Sequence, residues 1–495
     1  MNQTISCLLS PPTNESSPSR SLHRLLIFVL ATIPTATDVS ANDTWPTFRN
    51  NGTGTATATG IPTRWSPEAG VAWRSAIPGY GQSAPVVWKD TIFVTSSDGP
   101  FQERCYVHAF ELQSGKKRWS SPIQATTKVE NYFRNSRAAP TCVVDADRVI
   151  SFFASGDVTA MNHDGETLWS VPLFQDFGHV DNERGTASSP AQNNEHVFIV
   201  IDHHGPSYIV AIRKRDGEIA WKTDRGDRVP SWSSPLVTTR DGQQIVVISS
   251  SDTVNAYNAD DGQLLWQVDG IQGNHIPSAT VADDSIYVGS TEMYGGNASA
   301  EEVAGSNCRI DLLSAQSTPR YKVRWGAERA NSYYSTPLAF AGYVYYVNKA
   351  GVLYCVDQES GEQHFAKRIG NPCWASAIGV ENPSGEQLVY LVQKNGVTVV
   401  LRPGDTFDQV ARNQLWDRDQ MIEAAENAAT LRKQNSVPPD QAKPKTGPEK
   451  VFGSMPETAL HRMFSYDDPS AYSAVVVDGS LLIRSGQHLY CVRQR

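Results

Sequence analysis

The chain contains no adjacent cysteines and no C-x-x-C. It has no apolar run of membrane-spanning length and no surplus of basic residues. Six cysteines lie beyond residue 41, an even count that permits pairing, but their spacing gives no connectivity. Lys and Arg number 43 against 52 Asp and Glu, a net charge of −9, and that balance excludes wrapping nucleic acid, which needs a basic face. No G-x-S-x-G, H-E-x-x-H or phosphate loop stands in a suitable context. Charged residues make up only 19%, beside 40% hydrophobic, an ordinary composition for a folded soluble protein.

What is present is repetition. The stretch Ser83–Trp119 opens on a small residue and a proline. Short β-branched and aromatic runs then alternate with Asp, Asn or Gly turns, and a Trp closes the unit. The third run and closing Trp recur as VTAMNHDGETLW at Val158–Trp169, IVAIRKRDGEIAW at Ile209–Trp221 and VNAYNADDGQLLW at Val254–Trp266. About four short strands per unit, at a period of roughly forty to fifty residues, predict propeller blades. Units begin at Ser83, Ala138, Ser188, Ser233, Ser278, Ser335, Ser376 and Ser473. The last ends without its closing strand, while GVAWRSAIPG at Gly70–Gly79 is a strand with no unit of its own. Pairing the two closes a ring and removes the open sheet edge. The closing positions are then Trp73, Trp119, Trp169, Trp221, Trp266, Trp325, Phe365 and Trp416, which predicts an all-β, eight-bladed β-propeller of four-stranded antiparallel blades over 70–495. The Trp residues are expected to pack between blades.

Residues 1–41 read as a signal peptide. Arg20, His23 and Arg24 precede the apolar run Leu25–Ile33, and Val39-Ser40-Ala41 offers a small-x-small cleavage site. Export to the periplasm or cell envelope is expected, with membrane association only through an uncleaved signal or a partner. Residues 42–69, Gly- and Thr-rich, are expected to form an extended lead-in lying on the body. Residues 417–467 form an insertion between units seven and eight. Asp417–Gln434 there is a strong helix former with an apolar stripe of Ile422, Ala425, Ala429 and Leu431. The six cysteines beyond the leader are expected as buried strand thiols.

The small unit-opening residues, seven of eight being Ser, fit innermost strands crowding an axis. The residues just before them should rim one mouth of the channel. Arg134, Arg137, Arg184, Trp232, His275, Tyr333, Tyr334, Trp374 and Tyr472 are therefore the candidate ligand-binding residues, with Tyr80, Gln82 and Glu183 beside them. Aromatic and Arg side chains of this kind concentrate binding energy. No residue is assigned a catalytic or metal-ligating role.

The repeated Ala-x-[Asn/Asp]-x-x-[Asp/Ser]-Gly-x-x-x-Trp pattern resembles the PQQ-like repeat. That family includes quinoprotein dehydrogenases and outer-membrane assembly propellers of the BamB type. The lead-in WPTFRNNGTG and the ending DGSLLIRSGQHLYCV also resemble exported planctomycete-type PQQ-repeat proteins. The resemblance covers about residues 42–495 and implies the propeller more than any one activity. In the dehydrogenases it implies a quinone in the axial funnel, between a Trp and an adjacent-cysteine disulfide, beside Ca²⁺. The expected function is a non-catalytic binding or scaffold propeller for a protein or envelope-polymer partner, BamB-like, without cofactor. The alternative is a PQQ-dependent quinoprotein oxidoreductase holding PQQ with Ca²⁺.

Overall fold

Each repeat folds into a sheet because its apolar runs are four to eight residues long and separated by tight turns, too short for helices. The computed structural model describes residues 43–128, 135–178, 180–182, 184–273, 276–292, 298–434 and 469–494. The leader and the later part of the insertion lie outside them. Eight antiparallel blades result. Blade 1 is Val86–Trp88, Thr91–Asp98, Arg104–Glu111 and Lys117–Gln124, and blades 2 to 7 repeat that order. The first strands of successive blades pack beside one another and so surround the axis.

Burial follows position in the blade. Middle strands are covered on both faces by neighbouring blades, so Val149–Phe152 and Ser480–Ser485 are wholly buried. Outer strands meet water on one side, and Lys117–Gln124 holds no fully buried residue. In blade 8 the outer strand is Val71–Ala76, paired with His488–Arg493, and Trp73 lies opposite Cys491. The head of the chain therefore completes the last sheet, as expected.

The closing aromatics form the blade junctions. A register shift next to Trp119, Trp169, Trp221 and Trp266 kinks the outer strand there. Across the junctions, indole Nε1 donates to a carbonyl of the next blade: Trp119 to His163 at 2.8 Å, Trp169 to Lys214 at 2.8 Å and Trp221 to Ala259 at 3.0 Å. The ring lies over the turn glycine of that blade, as Trp169 does over Gly217, so any side chain there would collide with the indole. This contact explains why the turn Gly and the Trp recur together. Phe365 takes the same place in blade 6, opposite Cys355. Trp416 does not. In blade 7 the position at the register shift belongs to Ala411, opposite Val400. Trp416 follows the strand and is buried instead against Tyr490 of blade 8, ring centroids 5.8 Å apart.

The lead-in also departs from expectation. It does not lie on the outside but enters the axis. Thr44–Trp45 adds to the inner edge of blade 1, and Thr55–Thr57 pairs in parallel with the innermost strand of blade 7. Between them Arg49, Asn50 and Asn51 have φ of 56°, 48° and 58°, a left-handed turn that Asn and Gly tolerate and Arg rarely adopts. Its cost, of order 1–3 kcal/mol per such residue, is offset by the contacts of Arg49. Its guanidinium donates to the carbonyls of Pro337 at 2.9 Å and Ala377 at 3.3 Å and to the Thr280 hydroxyl at 3.0 Å. One side chain thereby ties together blades 5, 6 and 7. Burial without a carboxylate partner pulls the Arg49 guanidinium down to about 9.

The insertion helix spans Arg418–Gln434. Its buried face is Ala424 and Ala428, not the stripe through Ile422, Ala425 and Ala429; Met421 and Ile422 are exposed. Small residues allow close approach to the ring. Glu423 pairs with Arg74 of the closing strand at 3.3 Å. Among the described residues, no helix is long and apolar enough to cross a membrane.

Candidate functional site

Small hydroxyl residues stand two residues ahead of the innermost strands, and the structure uses them to link the blades. The Ala84 N–H donates to Thr141 Oγ1, Thr141 to Ser189 Oγ, Ser189 to Ser234, Ser234 to Ser278, Ser278 to Thr336 and Thr336 to Ser376, all at 2.8–3.1 Å. This girdle of backbone-to-hydroxyl bonds links blades 1 to 7. Between blades 8 and 1 the linker is Arg484, fully buried, whose guanidinium donates to the Ser83 carbonyl at 3.0 Å, to the Ser83 hydroxyl and to the Thr95 carbonyl at 2.5 Å. Burial pulls this arginine down to about 9 as well.

The girdle is the waist of a cavity of about 220 Å³. Phe48 of the lead-in lines its depth, where the left-handed turn crosses the axis. Arg184, Trp232, Tyr334, Trp374 and Tyr472, five of the nine candidate residues, line it together. Four aromatic rings form an arc: Tyr333 stacks on Tyr334 at 4.1 Å, Tyr334 meets Trp374 edge-on at 5.3 Å, and Trp374 meets Tyr472 at 5.4 Å. Tyr80 extends it, its hydroxyl 2.6 Å from that of Tyr472. Facing the arc, the Arg184 guanidinium lies over the Trp232 ring, 5.7 Å from its centroid. The Arg184–Gly185 backbone is clamped from two sides. Asn135 donates to the Arg184 carbonyl at 2.8 Å, and the Trp232 indole to the Gly185 carbonyl at 2.9 Å.

The other candidates are placed differently. Tyr333 stacks on Tyr334 without itself lining the cavity. Arg137 is only 2% exposed and sits in the blade 1–2 wall, its charge acting on Cys105, instead of lining the cavity. Its backbone explains this: the Arg137 N–H and carbonyl are bound to Gln102 and Ala154, which turns the residue inward. Arg134, His275 and Glu183 lie outside the described residues. Phe48, Asn135 and the girdle residues Thr141, Ser189, Ser234 and Thr336 were not singled out from sequence, whereas Ser278 and Ser376 were, as unit openers. The one available signal was the Asn-Asn-Gly of the lead-in, which favours a left-handed turn.

No carboxylate stands among the described residues of the cavity lining, and no cluster of three metal-binding side chains occurs among the described residues. The six cysteines are buried free thiols scattered over separate blades. Burial pushes Cys142, Cys308 and Cys373 up to about 12. This donor set does not fit a quinone held against Ca²⁺ and an adjacent-cysteine disulfide.

Fold and cavity together define a closed propeller with a plugged axis and an aromatic mouth. The family model described as "Outer membrane protein assembly factor BamB" matches residues 55–206 and 156–373, more than half the chain. The chain belongs to this PQQ-repeat family. A curated relative, the outer membrane protein assembly factor BamB of Yersinia pestis, is 24% identical over 269 residues, 52% of this chain. The match spans 62% of that relative's length. Among solved structures, BamB from Moraxella catarrhalis superposes with a TM-score of 0.54 at 12% identity, covering 86% of this chain and 97% of that one. Quinohemoprotein alcohol dehydrogenase from Comamonas testosteroni also reaches 0.54 at 12% identity, covering 92% and 81%. At such identity these two likenesses concern the fold.

Proposed function

We propose that this chain is an exported, non-catalytic scaffold propeller that binds a protein partner through the face bearing the aromatic mouth. The observation that carries the reading is the composition of that face. Tyr, Trp and Arg converge there, the side chains in which interface energy concentrates, and the described lining offers no acid–base or nucleophilic pair. Membership of the BamB family supports a protein as the partner and the periplasmic side of an envelope as the place.

The test uses the full chain expressed in a bacterial envelope, with cross-linking and affinity capture. Wild type should retain a defined protein, and the Trp232→Ala, Tyr333→Ala variant should lose it while keeping its melting temperature within a few degrees. A partner retained by the variant overturns the assignment of this face. Titration with PQQ and Ca²⁺ should give no shift in melting temperature; a clear upward shift would restore the oxidoreductase reading.

A further inference from the structure

The cavity behind the mouth differs from a flat protein-docking patch. It carries aromatic surface on one side and a cation on the other, and Phe48 of the lead-in is part of its lining. We propose that it binds the terminal acidic sugar of a saccharide, inserted end-on. This goes beyond the protein-binding reading and does not depend on it.

Three observations point to that chemistry. First, a sugar ring has one apolar C–H face that lies against an aromatic ring, and the Tyr334–Trp374–Tyr472 arc supplies adjacent platforms meeting at an angle. Second, the opposite edge of a sugar needs closely spaced polar partners. The girdle hydroxyls of Ser189, Ser234 and Ser278 each accept a backbone N–H and so keep an O–H to donate. Third, Arg184 is the cation of the described lining and is held ready by the clamp on its own backbone. A guanidinium favours a carboxylate, which it can grip with two parallel bonds. It disfavours a cationic ligand, although an aromatic arc alone would suit one.

Size and shape narrow the ligand further. Drug-sized sites enclose roughly 300–1,000 Å³, and this cavity encloses about 220 Å³, room for a single ring. The axis is crossed by Phe48 and the Arg49–Gly52 turn, so a polymer cannot thread through. Only a chain end fits, not an internal unit.

The test is calorimetry on the purified chain without any partner. The probes are galacturonic acid, digalacturonate, galactose, and phosphatidylcholine vesicles carrying a uronic-acid glycolipid. The acid sugars should bind about tenfold or more tighter than galactose, the effect of one charge-assisted contact, and that margin should shrink with added salt. Arg184→Gln should abolish the acid preference while leaving weak binding of both sugars. Trp374→Ala should lose both. Tetragalacturonate should bind with one site per chain and no gain from added length. Binding of the soluble acids alone indicates a polysaccharide end, and binding of the vesicles alone a glycolipid head group; either supports the site. Equal affinity for acid and neutral sugars, an acid preference surviving in Arg184→Gln, or no binding of any probe by a folded chain would overturn it. Protein capture at the mouth is read through Trp232 and Tyr333, so each proposal fails by its own measurement.

Discussion

The indole of Trp73 donates to the carbonyl of Leu112 at 3.1 Å, joining the closing strand of blade 8 to blade 1. Ser75, two residues on, donates to the Gly115 carbonyl at 2.6 Å. Trp119 and Ser121 make the same pair of bonds to His163 and Gly165 of blade 2. The junction where the ring closes is thus built like one within the chain, and the ring has no weak seam at that point.

Closure can be tested at its Trp. Trp73→Ala should cost about 2–4 kcal/mol, somewhat less than a fully buried Trp because its ring is part-exposed. Trp73→Phe should recover most of the packing and lose the bond. Urea unfolding of both variants measures this. A loss no larger than that of a surface substitution would show that the head strand adds little to the ring.

The axial plug depends on Arg49. Arg49→Ala should leave the Pro337 and Ala377 carbonyls short of a donor and release the left-handed turn. Limited proteolysis should then cut within residues 50–64, where wild type should resist cutting. Arg49→Lys should rescue only in part, because one ammonium cannot reach three blades in the planar fork of a guanidinium.

A buried ion pair within blade 3 reaches into blade 4. Arg225 donates to Asp202 at 2.8 and 3.1 Å, and also to Tyr257 and Ser250. Asp202→Ala leaves that cation buried and unpaired, and should cost about 3–5 kcal/mol. Asp202→Leu with Arg225→Met should cost clearly less than the two single losses summed. A thermodynamic cycle by denaturant unfolding reads the difference.

Stability should fall as the solution is acidified below neutrality. His108 is enclosed between Ser96 and Ser120, and burial, with the nearby Arg484 charge, pulls it down to about 3. Burial likewise pulls His488 down to about 4. Both folded values lie below the ordinary 6.5, so the unfolded chain binds more protons between them. Their contribution is complete above about pH 6.5 and drains away as pH falls toward 4, at up to about 1.4 kcal/mol per unit for each histidine. Unfolding free energies at pH 7, 5.5 and 4.5 check the slope, and His488→Gln should flatten it. An unchanged slope would exclude His488 as a contributor.

The blades were legible in the amino-acid order because a blade is a local object. Its apolar runs, Asp-Gly turns and closing Trp lie within about fifty residues, and the same arrangement recurs. Five of the nine candidate residues meet around one cavity for a related reason: each precedes an inner strand, and all inner strands start at the same end of the ring. Arg137 shows the limit. It stands at an equivalent place, but its backbone bonds turn it into the wall. Trp416 shows another, since a Trp at about the expected spacing proved to be one strand-end too late, with Ala411 in its place.

By itself the sequence determined the repeat, the number of blades and the pairing of head strand with tail sheet, since each follows from periodicity and from the need to cover open edges. Only the tertiary structure decided that Phe48 and Arg49 plug the axis, that Ser and Thr hydroxyls link seven blades, and that Arg184 faces an aromatic arc. These contacts join residues tens to hundreds of positions apart. Their geometry depends on where whole blades sit, and no local pattern encodes that.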